Sequence, residues 1–323
     1  MEKSSTFKRI TKSKTFTLIL VFILVVIVFT VIKSSFLRPV NLRNIVNSAT
    51  VSGITMVGLI CLLISGNMDL STGNVSIMSA IVMCTVSQMG APWFLALLVG
   101  LLFGALCGAI NAFLGYVCGI FPFIATLAMG SVWQGLGNFF TNAQNVVISD
   151  RSLWWLGSGD ILGIPFAFIL MCALMIVYGF ILAKTKFGRT IYMMGGNFQA
   201  ARLAGINLKK NGTILMINCS TLAALAGCVL AARMHSINPS TLLAMDAITA
   251  AVLGGVAFTG GSGTMFGGFI GLLLLSSFQN GLQVVGLDTY WRTVASGLLL
   301  ALALTFDYIN TKRMAKQLKQ KVD

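Results

Sequence analysis

The sequence is short of charge. Of 323 residues, 22 are Lys or Arg and 8 are Asp or Glu, 9% in all, where ordinary soluble domains carry roughly 25%. Hydrophobic residues make up 57% and mean hydropathy is +0.90. That leaves too little polar side chain to cover a water-soluble fold, and it rules out a disordered chain as well. The one histidine, His235, cannot build a multi-histidine metal site. The seven cysteines (Cys61, Cys84, Cys107, Cys118, Cys172, Cys219 and Cys228) lie in or at the ends of apolar runs, without CxxC spacing. They read as small packing residues rather than disulfides or zinc ligands. No GxxxxGK[ST] sequence occurs, so the chain has no phosphate-cradling loop of its own. Any ATP used must be bound and hydrolysed by another chain.

Long apolar runs are what the sequence does have. About 20 such residues cross the roughly 30 Å hydrocarbon layer. Ten segments qualify, near 16–32, 45–64, 72–89, 93–116, 121–140, 162–182, 213–233, 246–258, 266–286 and 291–307. The eighth is short and broken by Gly254 and Gly255, so it is expected to enter the bilayer without a clean helical crossing. The fold class is an all-α polytopic membrane protein of about ten transmembrane helices. Residues 1–15 and 311–323 are expected to form basic cytosolic tails around a membrane domain at 16–310. Lys3, Lys8, Arg9, Lys12 and Lys14 precede the first run, which resembles a signal peptide at first sight. Lys33-Ser34-Ser35-Phe36 follows it without a small-residue cleavage site, so an uncleaved first helix is expected.

Basic residues orient the bundle. With the N-terminus inside, ten spans return the C-terminus inside, and sixteen of the 22 basic residues then fall in internal segments. Only Lys33, Arg38, Arg43, Arg151, Arg233 and Arg292 lie outside. This matches the positive-inside rule. The net charge of +14 is therefore read as a topology signal, with no nucleic-acid partner required.

Five spans per half suggest an inverted repeat. Gly100, Gly104 and Gly108 in span four and Gly263, Gly267 and Gly271 entering span nine both read GxxxGxxxG, a pattern that permits close helix contact. Asp69 and Asp246 stand at the starts of spans three and eight. Chance alignment among 34 glycines is the competing explanation.

The acidic residues are too scattered for a proton relay of intramembrane carboxylates. Asp69 sits in Ser65-Gly66-Asn67-Met68-Asp69-Leu70-Ser71-Thr72-Gly73, a polar break between apolar runs. There it either faces the pathway or caps span three, and capping as part of a gate is the favoured reading. Gly261-Ser262-Gly263 with His235 raises a membrane serine protease, but the topology puts the two on opposite sides, beyond hydrogen-bond reach. The internal loop 183–212 holds Gly195-Gly196-Asn197-Phe198, and Asn197 and Gly205 suit the N-cap and the residue after the C-cap of a short helix. That loop is either an ordinary basic loop or a helix that docks on another protein.

Four stretches together resemble the membrane permease subunits of bacterial ABC importers of the ribose type, within the branched-chain amino acid and sugar permease superfamily. They are Ser65–Gly73; Phe123-Ile124-Ala125-Thr126-Leu127; Phe187-Gly188-Arg189 through Gly195-Gly196-Asn197 to Arg202-Leu203-Ala204-Gly205-Ile206; and Asp246-Ala247-Ile248 through Gly254-Gly255 to Gly260-Gly261. The chain departs from the family pattern at Phe198, where a Glu is usual, at Asn67-Met68, where Gly-Ile is usual, and at Met245, where many relatives carry a short acidic stretch.

The resemblance implies a permease of the bacterial inner membrane with both termini cytoplasmic, paired with an identical chain or a sister permease. It also implies an ABC ATPase subunit, an extracytoplasmic sugar-binding protein, and a monosaccharide as cargo. The chain itself would be a transport subunit and not an enzyme, with no cofactor. By the same resemblance Gly195, Gly196, Asn197, Phe198, Arg202, Leu203 and Gly205 form the segment coupled to the ATPase. Candidate gate or pathway residues are Asn67, Asp69, Ser71, Asn111, Phe123, Thr126, Trp133, Gln134, Asn280 and Gln283, with helix packing as the alternative role for those on the spans. A stand-alone secondary transporter of a small polar solute is the competing class.

Overall fold

The computed structural model describes residues 14–241 and 245–319, most of them helical. The first half holds α1 (Lys14–Ile32), α2 (Pro39–Ile64), α3 (Thr72–Gln88), α4 (Trp93–Ala112) and α5 (Pro122–Thr141). The short α6 (Trp154–Ser158) leads into α7 (Phe166–Lys184), followed by α8 (Lys186–Gly196) and α9 (Phe198–Leu203). The chain continues through α10 (Leu208–Met234), α11 (Asp246–Leu253), α12 (Met265–Val285) and α13 (Thr289–Lys319).

Local chemistry sets many of the boundaries. Pro39 and Pro122 open α2 and α5, at a position whose N–H has no intrahelical partner anyway. The side chains of Thr185, Asn207 and Thr264 accept first-turn N–H groups of α8, α10 and α12. α5 and α10 end on Asn142 and His235, both left-handed.

The expected spans fall on α1–α5, α7 and α10–α13, with ends displaced by a few residues. α13 runs on to Lys319, past the expected end at 307. Most of the expected N-terminal tail and the last four residues, 320–323, lie outside the described residues. Among the described residues, five helices are each long and apolar enough to cross a bilayer alone: α2, α4 with its π turn Phe113–Val117, α7, α10 and α12.

α2 and α10 form the centre. They run antiparallel: Gly58 lies against Cys219, while Arg233 Nη1 at the end of α10 donates to Asn47 O near the start of α2. The other helices pack on this pair in a way that survives exchange of the halves. α4 packs on α10 as α12 packs on α2, and α3 packs on α10 as α11 packs on α2. α3 also meets α4 and α5 as α11 meets α12 and α13. Because the equivalent helices α2 and α10 run in opposite directions, the repeat is an inverted one.

α11 has eight residues, about 12 Å of helix, far short of the hydrocarbon thickness. Its segment still crosses. Asp246 lines a cavity beside Ser48 and Arg233, whereas Gly261 N donates to Ile64 O at the other end of α2 at 2.8 Å. The lower part of this crossing is irregular backbone, and Val256 and Ala257 there are buried. Non-helical chain at membrane depth is tolerated only under such protein cover.

Polar side chains fasten helices across the bundle. Tyr178 of α7 donates to Asn218 of α10, Asn41 of α2 donates to Asn280 of α12 at 2.8 Å, and Gln279 donates to Ser296 at 2.7 Å. Such bonds contribute roughly 0.6–2 kcal/mol each in a membrane. On the face where α10 ends, β1 (Val146–Val147) pairs antiparallel with β4 (Ser236–Ile237), and β2 (Asp160–Ile161) forms a hairpin with β3 (Ile164–Pro165).

Candidate functional site

α2 stops at Ile64 and the chain doubles back. Ser65 Oγ donates to Leu62 O at 2.6 Å, Gly66 adopts φ +81°, and Asn67 Nδ2 donates to Ser65 Oγ at 3.2 Å. The return places Asp69 in the middle of the bundle, fully buried, at the level of Ser220 halfway along α10.

The Asp69 carboxylate is held by neutral donors. Oδ1 accepts from Ser71 N at 2.8 Å and from Ser71 Oγ at 2.6 Å, and Oδ2 accepts from Ser220 Oγ at 3.1 Å. Asn111 Nδ2 of α4 donates to Ser71 Oγ at 2.8 Å, and Thr126 Oγ1 of α5 accepts from Leu70 N at 3.1 Å. One polar knot thus joins the α2–α3 break to α4, α5 and α10. Asn111 Oδ1 within it is buried without a protein partner.

Four candidate residues, Asp69, Ser71, Asn111 and Thr126, come together here, with Asn67 on the turn leading in. Ser220 completes the knot and was not singled out from the sequence. Its signal was the polar run Asn218-Cys219-Ser220-Thr221 inside an apolar span. Asp69 caps α3 only indirectly, by fixing Ser71, and its second oxygen serves an inter-helix contact.

The remaining pathway candidates lie elsewhere. Phe123 is exposed on the first turn of α5. Trp133 is buried, edge-on to Phe103 at a centroid distance of 5.7 Å, and its indole Nε1 has no hydrogen-bond partner among the described residues; Gln134 beside it is half-buried. Asn280 is engaged by Asn41, and the exposed Gln283 accepts from Arg292 at 2.8 Å. These last two belong to the other half of the repeat, near the end of α12.

A second polar region lies between α2, α10, α11 and α12. A cavity of about 190 Å³ is lined there by Ser48, Ser52, Arg233, Asp246, Ser276 and Gln279. Gln279 Nε2 donates to Asp246 Oδ1 at 2.9 Å. On the same face Arg43 and Asp160 form an exposed ion pair at 2.6 Å. Ahead of α6, the backbone and hydroxyl of Ser152 donate to Asp150 and hold its carboxyl below the usual carboxylate range.

The coupling candidates sit at the opposite end. Gly195 and Gly196 finish α8, and Asn197 caps α9 by accepting from Ala200 N at 2.9 Å. Phe198, Arg202 and Leu203 are exposed, while Ala201 is buried with Met194 and Leu208. Gly205 takes φ +79° just past the helix. α9 therefore presents two large apolar side chains and a cation outward from a small apolar base. Among the described residues, no cluster of three or more His, Cys, Asp or Glu side chains is placed to hold a metal ion.

Comparison with known proteins agrees with this architecture. The L-arabinose ABC transporter permease protein AraH of Azospirillum brasilense is 31% identical over 304 residues, covering 93% of this chain and 90% of that protein. The ribose import permease protein RbsC of Bacillus subtilis (strain 168) is 33% identical over 290 residues, covering 88% and 90%. The fold resembles a solved structure described as a metal-chelate type ABC transporter in an inward-facing conformation. That likeness has a TM-score of 0.50 at 12% identity and covers 94% of this chain and 98% of the other, so it speaks to fold alone. The model of the branched-chain amino acid transport system / permease component family matches residues 41–304, and the chain belongs to that family.

Proposed function

We propose that the chain is the membrane-spanning subunit of an importer that takes a monosaccharide from an external binding protein and moves it inward, driven by ATP hydrolysed on a partner subunit. The observation that carries this reading is similarity along nearly the whole chain to two permeases named for ribose and L-arabinose. Both solutes are neutral pentoses. A bundle whose buried polar groups are mostly hydroxyls and amides suits such cargo better than an ion, because an ion would need compensating charge along the path.

In this scheme the protein lies in the cytoplasmic membrane of a bacterium with α8 and α9 facing the cytosol, where six basic residues of 183–212 belong by the positive-inside rule. The exposed face of α9 docks on the ATPase. The loops tied by β1 and β4 face the binding protein, and a second permease copy completes the pathway. Alternating access follows when ATPase closure displaces α9. High affinity for the sugar resides in the external receptor, so the pathway itself binds weakly.

The test is purification of the tagged protein from its native membrane in gentle detergent, followed by reconstitution of the recovered complex in liposomes. Co-recovery of an ABC ATPase, with receptor-dependent uptake of labelled ribose or arabinose that needs hydrolysable ATP, supports the reading. Recovery of the permease alone, in a form whose uptake follows an ion gradient, overturns it.

A further inference from the structure

Three stretches of backbone meet at the cytosolic end of α2 with no side chains between them. Gly195 of α8 lies so close that a Cβ there would fall inside the contact radius of Ile64 O and 2.5 Å from Gly261 N. A Cβ on Gly260 would stand 2.8 Å from Gly66 Cα, and one on Gly261 would stand 2.8 Å from Gly196 Cα. Gly66, Gly260 and Gly261 all have positive φ, at +81°, +89° and +75°. At Gly260 and Gly261 only glycine fits both the conformation and the approach, and at Gly66 the conformation alone favours it.

The contact joins parts with different allegiances. Ile64 ends α2 and Gly66 follows it in the first half, Gly260 and Gly261 follow α11 in the second half, and Gly195 lies in the last turn of α8, just before α9. Gly261 N donates to Ile64 O at 2.8 Å, and Tyr192 Oη of α8 donates to Gly263 O at 2.7 Å. Two hydrogen bonds thus close a triangle whose third side is the glycine contact.

We infer that this glycine junction, tethered by Tyr192, is the joint through which displacement of the α8–α9 segment is passed to both halves of the bundle. The inference rests on the proposed importer function. Backbone packed on backbone carries a displacement without rotamer slack, because a close-packed interior shifts as a unit. A push on α9 moves Gly195 against the end of α2, and through Tyr192 it pulls the loop that leads back to α11. The far end of the α11 crossing is Asp246 in the external cavity, so the same joint connects the two faces of the membrane. Tyr192 is a positioning residue here, since it touches loop backbone rather than solute.

The experiment uses the complete reconstituted complex and measures sugar uptake per ATP hydrolysed. Tyr192→Phe keeps the ring and removes one hydrogen bond. It is expected to retain assembly and ATP hydrolysis within about twofold of wild type, while uptake per ATP falls at least fivefold. Gly195→Ala, where it assembles, is expected to lower the ratio tenfold or more. Gly179→Ala in α7, where an added Cβ makes only ordinary contact with Met265, should leave the ratio unchanged. A purely structural role would lower the melting temperature of Tyr192→Phe and leave uptake per ATP intact, which would overturn the inference and spare the importer reading. Wild-type uptake that ignores ATP would remove the importer reading, and this inference with it.

Discussion

Asp69 and Ser220 meet at the centre of the bundle, the carboxylate Oδ2 accepting the serine hydroxyl at 3.1 Å across 151 residues of sequence. The pair ties the break after α2 to the middle of α10. Asp69→Ala would strand the Ser71 amide and hydroxyl and the Ser220 hydroxyl in a buried site. Each unmet group costs about 1 kcal/mol or more, so a loss of about 3 kcal/mol is expected. Ser220→Ala should cost about 1 kcal/mol, since Asp69 keeps its bonds to Ser71. Melting in detergent should give the order wild type, Ser220→Ala, Asp69→Ala. An Asp69→Ala protein that melts with wild type would mean that the knot holds nothing together.

The glycines of α4 give a second graded series. A Cβ on Gly100 would lie 3.1 Å from both Met83 Cβ and Ser79 O, tight contacts that a shift of a few tenths of an ångström relieves. A Cβ on Gly108 would lie 2.7 Å from Ile217 Cα, against backbone of α10 that cannot give way locally. Gly108→Ala is therefore expected to lower the melting temperature well beyond Gly100→Ala, which should cost about 1 kcal/mol or less. Equal effects at the two positions would contradict the α4–α10 packing.

The span positions were legible in the sequence because each needs a run of apolar residues with polar or Pro breaks, and those runs survive any arrangement of the bundle. The α9 caps were legible for the same reason: Asn197 and Gly205 act within their own turn. The knot was legible only in part. Asp69, Ser71, Asn111 and Thr126 stood out as polar residues in apolar surroundings, but their meeting depends on how α2 doubles back. Ser220 looked like one more small residue in a helix. The glycine junction was hidden more deeply, since no single segment shows that Gly66, Gly195 and Gly260 approach one another. Trp133 and Asn280 stood out in the same way, yet they lie away from the knot, one edge-on to Phe103 and the other bonded to Asn41.

The coupling assignment makes a separate prediction at α9. Arg202 and Leu203 are exposed and their side chains support no buried contact, so Arg202→Glu should leave insertion and melting unchanged. Uptake is expected to fall below about a tenth of wild type, because reversing a charge at a docked interface costs about 2 kcal/mol or more. Gly205→Pro should act likewise, since φ +79° is closed to proline and α9 must then leave its position. Normal uptake in both variants, at normal expression, would remove α9 from the docking interface.

Two exposed leucines test the orientation of the whole bundle. Leu162, at the tip of the β2–β3 hairpin, is 98% exposed, and Leu203 at the end of α9 is 89% exposed. Neither holds the fold together, so cysteine is tolerable at both. The hairpin belongs to the face where α10 ends, and α9 to the face where α2 ends, so the two positions lie on opposite sides of the bilayer. In a protein with Cys118 and Cys172 changed to Ser, Leu162→Cys should react with a membrane-impermeant maleimide added to intact cells. Leu203→Cys should react only after the cells are opened. Reversal of the two patterns would turn the bundle over and place α9 outside, where no ATPase could meet it. Labelling of both from one side would break the antiparallel relation of α2 and α10 on which the inverted repeat rests.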